Sequence, residues 1–172
     1  MLANAEPEIL AAIALGLFAG LRPESEVWRL DWSHIDLESG LIDVAADRTK
    51  SARNRWVKIS PNLIEWLLPH QRRMGPVAPT GDKYNYMLQR ARAAAGIKKW
   101  PHDALRHTFA SMHFAHFKNI ADTASELGHT SVKTLLDHYR ERVKPAEAAK
   151  YWEIKPEANK ADGKVVAFAA AG

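Results

Sequence analysis

Apolar residues run almost without a break from Ile9 to Gly20, with no polar face at any helical spacing. A helix apolar all round belongs in an interior. Pro7 suits its first turn and Gly20 its C-terminal end. The run is too short to cross a membrane and follows an acidic start, so it predicts a central buried helix. Arg22-Pro23 then opens a second short helix, about Glu24 to Leu30, with Trp32 and Ile35 anchoring the turn after it. Past the turn signal Glu38-Ser39-Gly40, apolar and polar residues alternate loosely over LIDVA (Leu41–Ala45) and more clearly over RWVKI (Arg55–Ile59). Period two predicts strands, and the polar DRTKSARN between them reads as a hairpin loop.

Helical patterning resumes at Ser60-Pro61, an N-cap followed by Pro at the first helical position, and lasts until Pro69. His70 to Thr80 reads as a loop. Asp82 caps a helix through Ala95, closed by Gly96. Further helices run from about Asp103 to Phe117 and from Ile120 to Leu127, the latter stopped by Gly128. Ser131 caps a helix carrying Tyr139, and Lys144-Pro145 breaks it before AEAAKYWEI. The tail from Pro156 is polar, then Ala-rich. The fold class expected is mainly α with a small antiparallel sheet of two or three strands.

Composition narrows the picture. A chain of 172 residues with 47% hydrophobic and 26% charged residues suits one globular domain with a tail. It starts almost inside its first helix, which reads as the C-terminal portion of a longer protein. Cysteine is absent, which excludes disulfides, thiolate zinc sites and a cysteine nucleophile, and fits a reducing cytoplasm. A net charge of +4 suits a polyanionic partner. Eight histidines invite a metal, but no HExxH occurs and no carboxylate completes a ligand set around His113/His116 or His102/His107; no metal is expected. His113, His116 and His138 read as composition. The tryptophans fall mostly on apolar positions, as core residues do.

Four segments remain that a core does not need. GLRPESEVWRLDW places Arg22 after a helix end, and RTKSARNRWVKI places Lys50 at a hairpin tip. PHDALRHTFAS sets His102, Arg106 and His107 around a helix start, and LGHTSVKTLLDHYR supplies His129 and Tyr139. Two guanidiniums can clamp a phosphodiester's oxygens and hold the charge that grows there during attack. A tyrosine hydroxyl can attack phosphorus and keep the bond energy in a covalent intermediate. A Lys or His can protonate the leaving sugar oxygen. With side-chain cations in these roles no cofactor is needed.

In order and approximate spacing these segments resemble the tyrosine recombinases, also called phage integrases, over almost the whole chain. The family pattern is an Arg in GLRxxE, a Lys in a TK hairpin, HxLRH, LGH and a Tyr about ten residues later. The resemblance implies that Arg22 and Arg106 hold the scissile phosphate and that Tyr139 attacks it, leaving a 3′-phosphotyrosyl bond. Lys50 would protonate the 5′ oxygen, His102 would serve as general acid/base, and His129 would hydrogen-bond the phosphate. His107 would be structural, its ring facing a neighbouring helix. Arg53, Arg55 and Lys58 would contact DNA phosphates. Two features depart from the pattern. His102 lies four residues before Arg106 instead of three, and Asp103 takes the usual place. The segment after Arg22 is one residue longer than the pattern, so Glu24 or Glu26 is the family's carboxylate; Glu26 ranks first because Val27 continues the apolar pattern.

Singly, each residue has an ordinary explanation: Arg22 a helix cap, Lys50 an exposed hairpin lysine, Arg106 a partner for Asp103, His129 a satisfied core histidine, Tyr139 half-buried. Five such coincidences in one order favour a site. Residues 1–155 then form the catalytic domain, without the family's N-terminal core-binding domain, and 156–172 a flexible tail. The implied activity is site-specific DNA recombination serving integration or excision of a mobile element. The implied partner is double-stranded DNA at attachment-type sites, bound by a homo-tetramer and by no membrane, in the cytoplasm beside the nucleoid. The isolated domain is expected to be a monomer. Ala146–Ile154 is expected to dock on a neighbouring protomer through Tyr151 and Trp152. Two other readings stay open: a catalytically impaired DNA-binding relic, and an all-helical interaction module with an accidental match.

Overall fold

The computed structural model describes residues 1–45, 54–129 and 143–157. Lys50, Arg53 and most of the expected hairpin loop lie outside the described residues, as do the helix expected from Ser131 with Tyr139, and the tail beyond residue 157.

Helix α1 (Pro7–Phe18) starts with Pro at its first position and Glu8 in its first turn, where the helix dipole favours an anion. Its patterning decides its place: Ile9, Ile13, Leu15 and Phe18 are at most 1% exposed. The helix is the axis of the domain, packed by α2 (Pro61–Leu67), α3 (Gly81–Ala94) and α4 (Ala104–Phe117). Two glycines set this packing. A Cβ at Gly16 would stand 2.8 Å from Leu105 Cδ1, so its absence lets α4 approach. Gly20 has φ +66°, and a Cβ there would stand 2.5 Å from Phe109 Cδ1. It ends the α1 region and packs on α4 at once.

The sheet has three antiparallel strands in the order β1 (Ile35–Asp36), β2 (Leu41–Val44), β3 (Arg55–Lys58). Leu41 pairs with Lys58 and Val44 with Arg55. The pleat turns Ile42, Val44 and Val57 inward. Trp56 falls on the opposite face and is 63% exposed, so it is not a core residue as its apolar neighbours suggested. The expected helix over Glu24–Leu30 is only a 3₁₀ turn, Val27–Arg29. The reason is Glu26, whose carboxylate accepts the Arg22 backbone N–H and fixes this segment.

Helix α5 (Ile120–Leu127) is capped by Asn119, whose side chain accepts the Asp122 N–H, and ends at Gly128 with φ +65°. It lies along β3, and Glu126 Oε2 accepts the Lys58 N–H at 3.1 Å. A buried carboxylate thus satisfies a donor on the sheet's edge. Helix α6 (Pro145–Trp152) packs on α4 of its own chain. Tyr151 is buried against Phe18, and its hydroxyl donates to the Leu17 carbonyl. Trp66 Nε1 donates to Ile154 O at 3.1 Å. The side chains expected to anchor a neighbouring protomer are therefore engaged within one chain here. No helix among the described residues is long and apolar enough to cross a membrane.

Truncating Tyr151 to Ala should cost about 3–5 kcal/mol, the usual range for a large buried aromatic. Tyr151→Phe should cost only about 1 kcal/mol, the hydrogen bond alone. Urea unfolding of the three proteins measures both, and equal losses for Ala and Phe would contradict this packing.

Candidate functional site

Four chain segments end at one place: the residues after α1, the start of β3, the first turn of α4 and the end of α5. At their centre stands the Glu26 carboxylate, 1% exposed. Its Oε2 accepts the Arg22 N–H at 2.8 Å, and its Oε1 accepts from Arg55 Nη1 at 2.8 Å. Arg22 Nη1 lies 3.8 Å from Oε1 and Arg106 Nη1 lies 3.7 Å from Oε2. Glu24, the other candidate, is exposed.

Arg106 is 4% exposed and is held by two carbonyls, Gly20 O at 2.7 Å and Leu127 O. It does not make the pair with Asp103 that its spacing suggested. Burial, then the neighbouring Arg22, pushes its pKa down to about 10, with Glu26 opposing. It stays a cation at neutral pH. Arg22 keeps 26% of its side chain exposed, and its Nε lies 3.8 Å from Asp103 Oδ2. Among the described residues three guanidiniums thus face two carboxylates, an excess of one positive charge. Beside Arg22 and Arg106 opens a cleft of about 430 Å³, lined also by Ser25, Tyr84, Trp100, His102 and Asp103.

His129 follows Gly128 into this cluster. Burial first, then Arg106, Arg22, Arg55 and His107, holds its pKa down to about 4. The imidazole is therefore neutral at physiological pH. Its Nδ1 is buried and without a hydrogen-bond partner among the described residues. A neutral imidazole beside guanidiniums can donate one hydrogen bond to an anion.

The remaining site candidates fall elsewhere. His102 is 91% exposed on the rim, its Nδ1 3.6 Å from Asp103 Oδ2. Asp103, at the N-cap of α4 with φ +52°, carries the carboxylate that approaches Arg22. His107 is exposed, and it lies close enough to His129 to disfavour a proton there. Arg55 was expected on the DNA-facing surface and is only 10% exposed. Lys58 is 72% exposed, with Nζ 3.7 Å from both Asp122 Oδ1 and Glu126 Oε1.

Sequence reasoning missed the inward place of Arg55, although a signal existed. Arg55, Val57 and Ile59 share one face at period two, and Val57 and Ile59 are buried. It also dismissed His113, which is 7% exposed, bonds Thr123 Oγ1 at 2.8 Å and packs between Phe109 and Phe117. Its position on the inward face of α4, four residues after Phe109, was the available clue.

The sequence model of the phage integrase family matches residues 2–144. No curated protein matches the chain. Among solved structures, XerA recombinase is similar at 22% identity and TM-score 0.66, covering 91% of this chain and 62% of that one. The catalytic domain of bacteriophage HP1 integrase is similar at 26% identity and TM-score 0.63, covering 94% and 92%. The Tn1549 transposon integrase in complex with a circular intermediate DNA is similar at 17% identity and TM-score 0.60, covering 85% and 58%. The chain thus spans less than two thirds of XerA and of the Tn1549 integrase.

Two of the histidines held below the ordinary value, His113 and His129, generate a pH dependence. His113 is held to about 4 by burial, with Lys58 and His116 adding to the effect and Asp122 opposing it; His129 is held to about 4 as well, against an ordinary value of 6.5. Between those values the unfolded chain binds more protons, so stability is full above the upper value and is lost as pH falls through the window. Thermal unfolding should show Tm falling from about pH 6.5 to about pH 4. His113→Gln should flatten part of that slope, and an unchanged slope would place the proton uptake elsewhere.

Proposed function

Since this chain belongs to the phage integrase family, we propose that it is a site-specific recombinase that cuts and rejoins DNA strands through a 3′-phosphotyrosyl intermediate. The observation that carries this reading is the convergence of Arg22 and Arg106 on one buried carboxylate, with neutral His129 close to the same guanidiniums. Arg106 is rigid, held by two carbonyls, and Arg22 is partly open to the cleft. A phosphodiester that enters finds two cations and an imidazole donor already in place, which is what a pentacovalent transition state needs as its oxygens gain charge.

In this reading Tyr139 Oη attacks the phosphorus, the P–O5′ bond breaks, and Lys50 gives the 5′ oxygen its proton. Rejoining reverses the step, with a 5′-hydroxyl attacking and tyrosine leaving. The places of Tyr139 and Lys50 rest on the motif order alone. Side-chain cations supply the electrophilic assistance, so no cofactor takes part. Residues 1–155 act as the catalytic domain, the domain binds double-stranded DNA, and a homo-tetramer on two duplexes exchanges strands at attachment-type sites of a mobile element. Similarity to the Tn1549 integrase, solved with DNA, supports the choice of partner.

One observation favours a second reading, an impaired DNA-binding relic. His102 is 91% exposed, and the Asp103 carboxylate stands 3.8 Å from Arg22 Nε. A negative charge there opposes phosphate.

The two readings part on covalent adducts. Protein expressed in bacterial cells and recovered by detergent–phenol partition should carry DNA. After nuclease digestion, mass spectrometry should find a nucleotide 3′-phosphate on Tyr139, with excess EDTA making no difference. Tyr139→Phe should abolish the adduct, and Arg22→Ala should lower it about 100-fold, the usual cost of one lost oxyanion contact. Absence of adducts on every DNA tried, with DNA binding retained, would select the relic.

A further inference from the structure

Arg55 does something its expected role does not cover. Of the three described guanidiniums around Glu26, Arg55 makes the close side-chain contact, at 2.8 Å; Arg22 and Arg106 stand 3.8 and 3.7 Å away. Its Nε donates to Glu126 O at 3.1 Å. Its guanidinium also lies against Gly128, where a Cβ would stand 3.0 Å from Nη1 and 3.2 Å from Cζ. One side chain thus touches the Arg22 segment through Glu26, α5 through Glu126, and the His129 segment through Gly128. Its Nη2 is buried and makes no hydrogen bond among the described residues.

We infer that Arg55 is a positioning residue of the phosphate pocket, which occupies Glu26 Oε1 and thereby keeps Arg22 available to an oxyanion. The inference rests on the proposed reading of Arg22 and Arg106 as phosphate ligands. A carboxylate buried like Glu26 must be paired. Its Oε2 is taken by the Arg22 N–H, and Oε1 by Arg55. Without Arg55, Arg22 Nη1 stands 3.8 Å from Oε1. A shift of about 1 Å would turn that approach into a hydrogen-bonded pair. Arg106 cannot answer, because two carbonyls hold it. Arg22 is partly exposed, and its guanidinium contacts with Glu26 and Asp103 are both 3.8 Å long. Arg55 therefore neutralises Glu26 so that the phosphate does not have to displace it.

Inorganic sulfate, titrated into the full chain while the arginine Nε–Hε signals are followed by NMR, tests this. In the wild type the Arg22 and Arg106 signals should move with sulfate. In Arg55→Gln, sulfate should bind about tenfold more weakly, as loss of a charge-assisted contact implies. The Arg22 Nε–Hε should also become rigid before any sulfate is added, which a merely lost charge or a loosened fold would not produce. The double variant Arg55→Gln/Glu26→Gln removes the competitor and should recover both wild-type affinity and Arg22 mobility. If Arg55→Gln fails to fold, the double variant carries the test, since it removes one cation and one carboxylate together and leaves the net charge of the cluster unchanged. Equal sulfate affinity and equal Arg22 mobility in wild type and Arg55→Gln would overturn the inference alone. So would a folded double variant that stays weak. A wild type whose Arg22 and Arg106 ignore sulfate would overturn the phosphate-ligand reading, and this inference with it.

Discussion

A single carboxylate, Glu26, sits 1% exposed among three guanidiniums, and the arrangement of the site follows from keeping it paired. An unpaired buried charge costs several kcal/mol, about 3–5 by the usual measure of a broken pair. Glu26 cannot move to solvent, so the cations must come to it. They come from the segment after α1, from β3 and from α4. The carboxylate thus draws together residues 22, 55 and 106, which no local structure would join.

The same electrostatics sets protonation. Guanidiniums crowded with little water repel one another, and burial lowers Arg106 to about 10 without discharging it. The imidazole of His129 lies near the same charges and gives up its proton instead, at about 4. The result is a cluster in which arginines carry fixed charge and the histidine is a neutral donor. Charge that does not depend on pH near neutrality is what an anion site requires, and arginine is the side chain that supplies it under burial.

Much of this was legible in the sequence, and the failures share a cause. The all-apolar run became α1, and Asn119 to Gly128 framed α5 at the expected residues, because those elements are decided by patterning and caps close by. Motif order brought Arg22, Arg106, Glu26 and His129 to one place. The misreadings lie where a distant partner decides. Glu24–Leu30 is not a helix because Glu26 turns inward to Arg22 and Arg55. Strand β1, two residues long, is too short for a period to register. Arg55 looked like a surface cation because it is charged, although alternation put it on the face of Val57. Asp103 looked like a shifted motif or a cap; its carboxylate faces Arg22 because the backbone there takes a left-handed turn, φ +52°, that no residue pattern announces.

Arg106 shows why site and fold are hard to separate in this protein. Its guanidinium donates to Gly20 O after α1 and to Leu127 O at the end of α5. These are carbonyls left over where helical segments stop, and such groups need donors when buried. One side chain therefore closes two chain ends and, in doing so, fixes its own orientation toward the cleft. Gly20 admits no side chain there, since Phe109 and Leu127 fill the space. In the proposed reading, an anion clamp built on Arg106 would take its rigidity from the core around Gly20 and need no separate scaffold. Arg22 is the exception. It is anchored to Glu26 by its backbone N–H, and its guanidinium has no close partner of its own among the contacts with Glu26 and Asp103. Under the proposed function, one immobile cation and one adjustable cation would hold a phosphate while its oxygens change position, which a pair of fixed cations could not do.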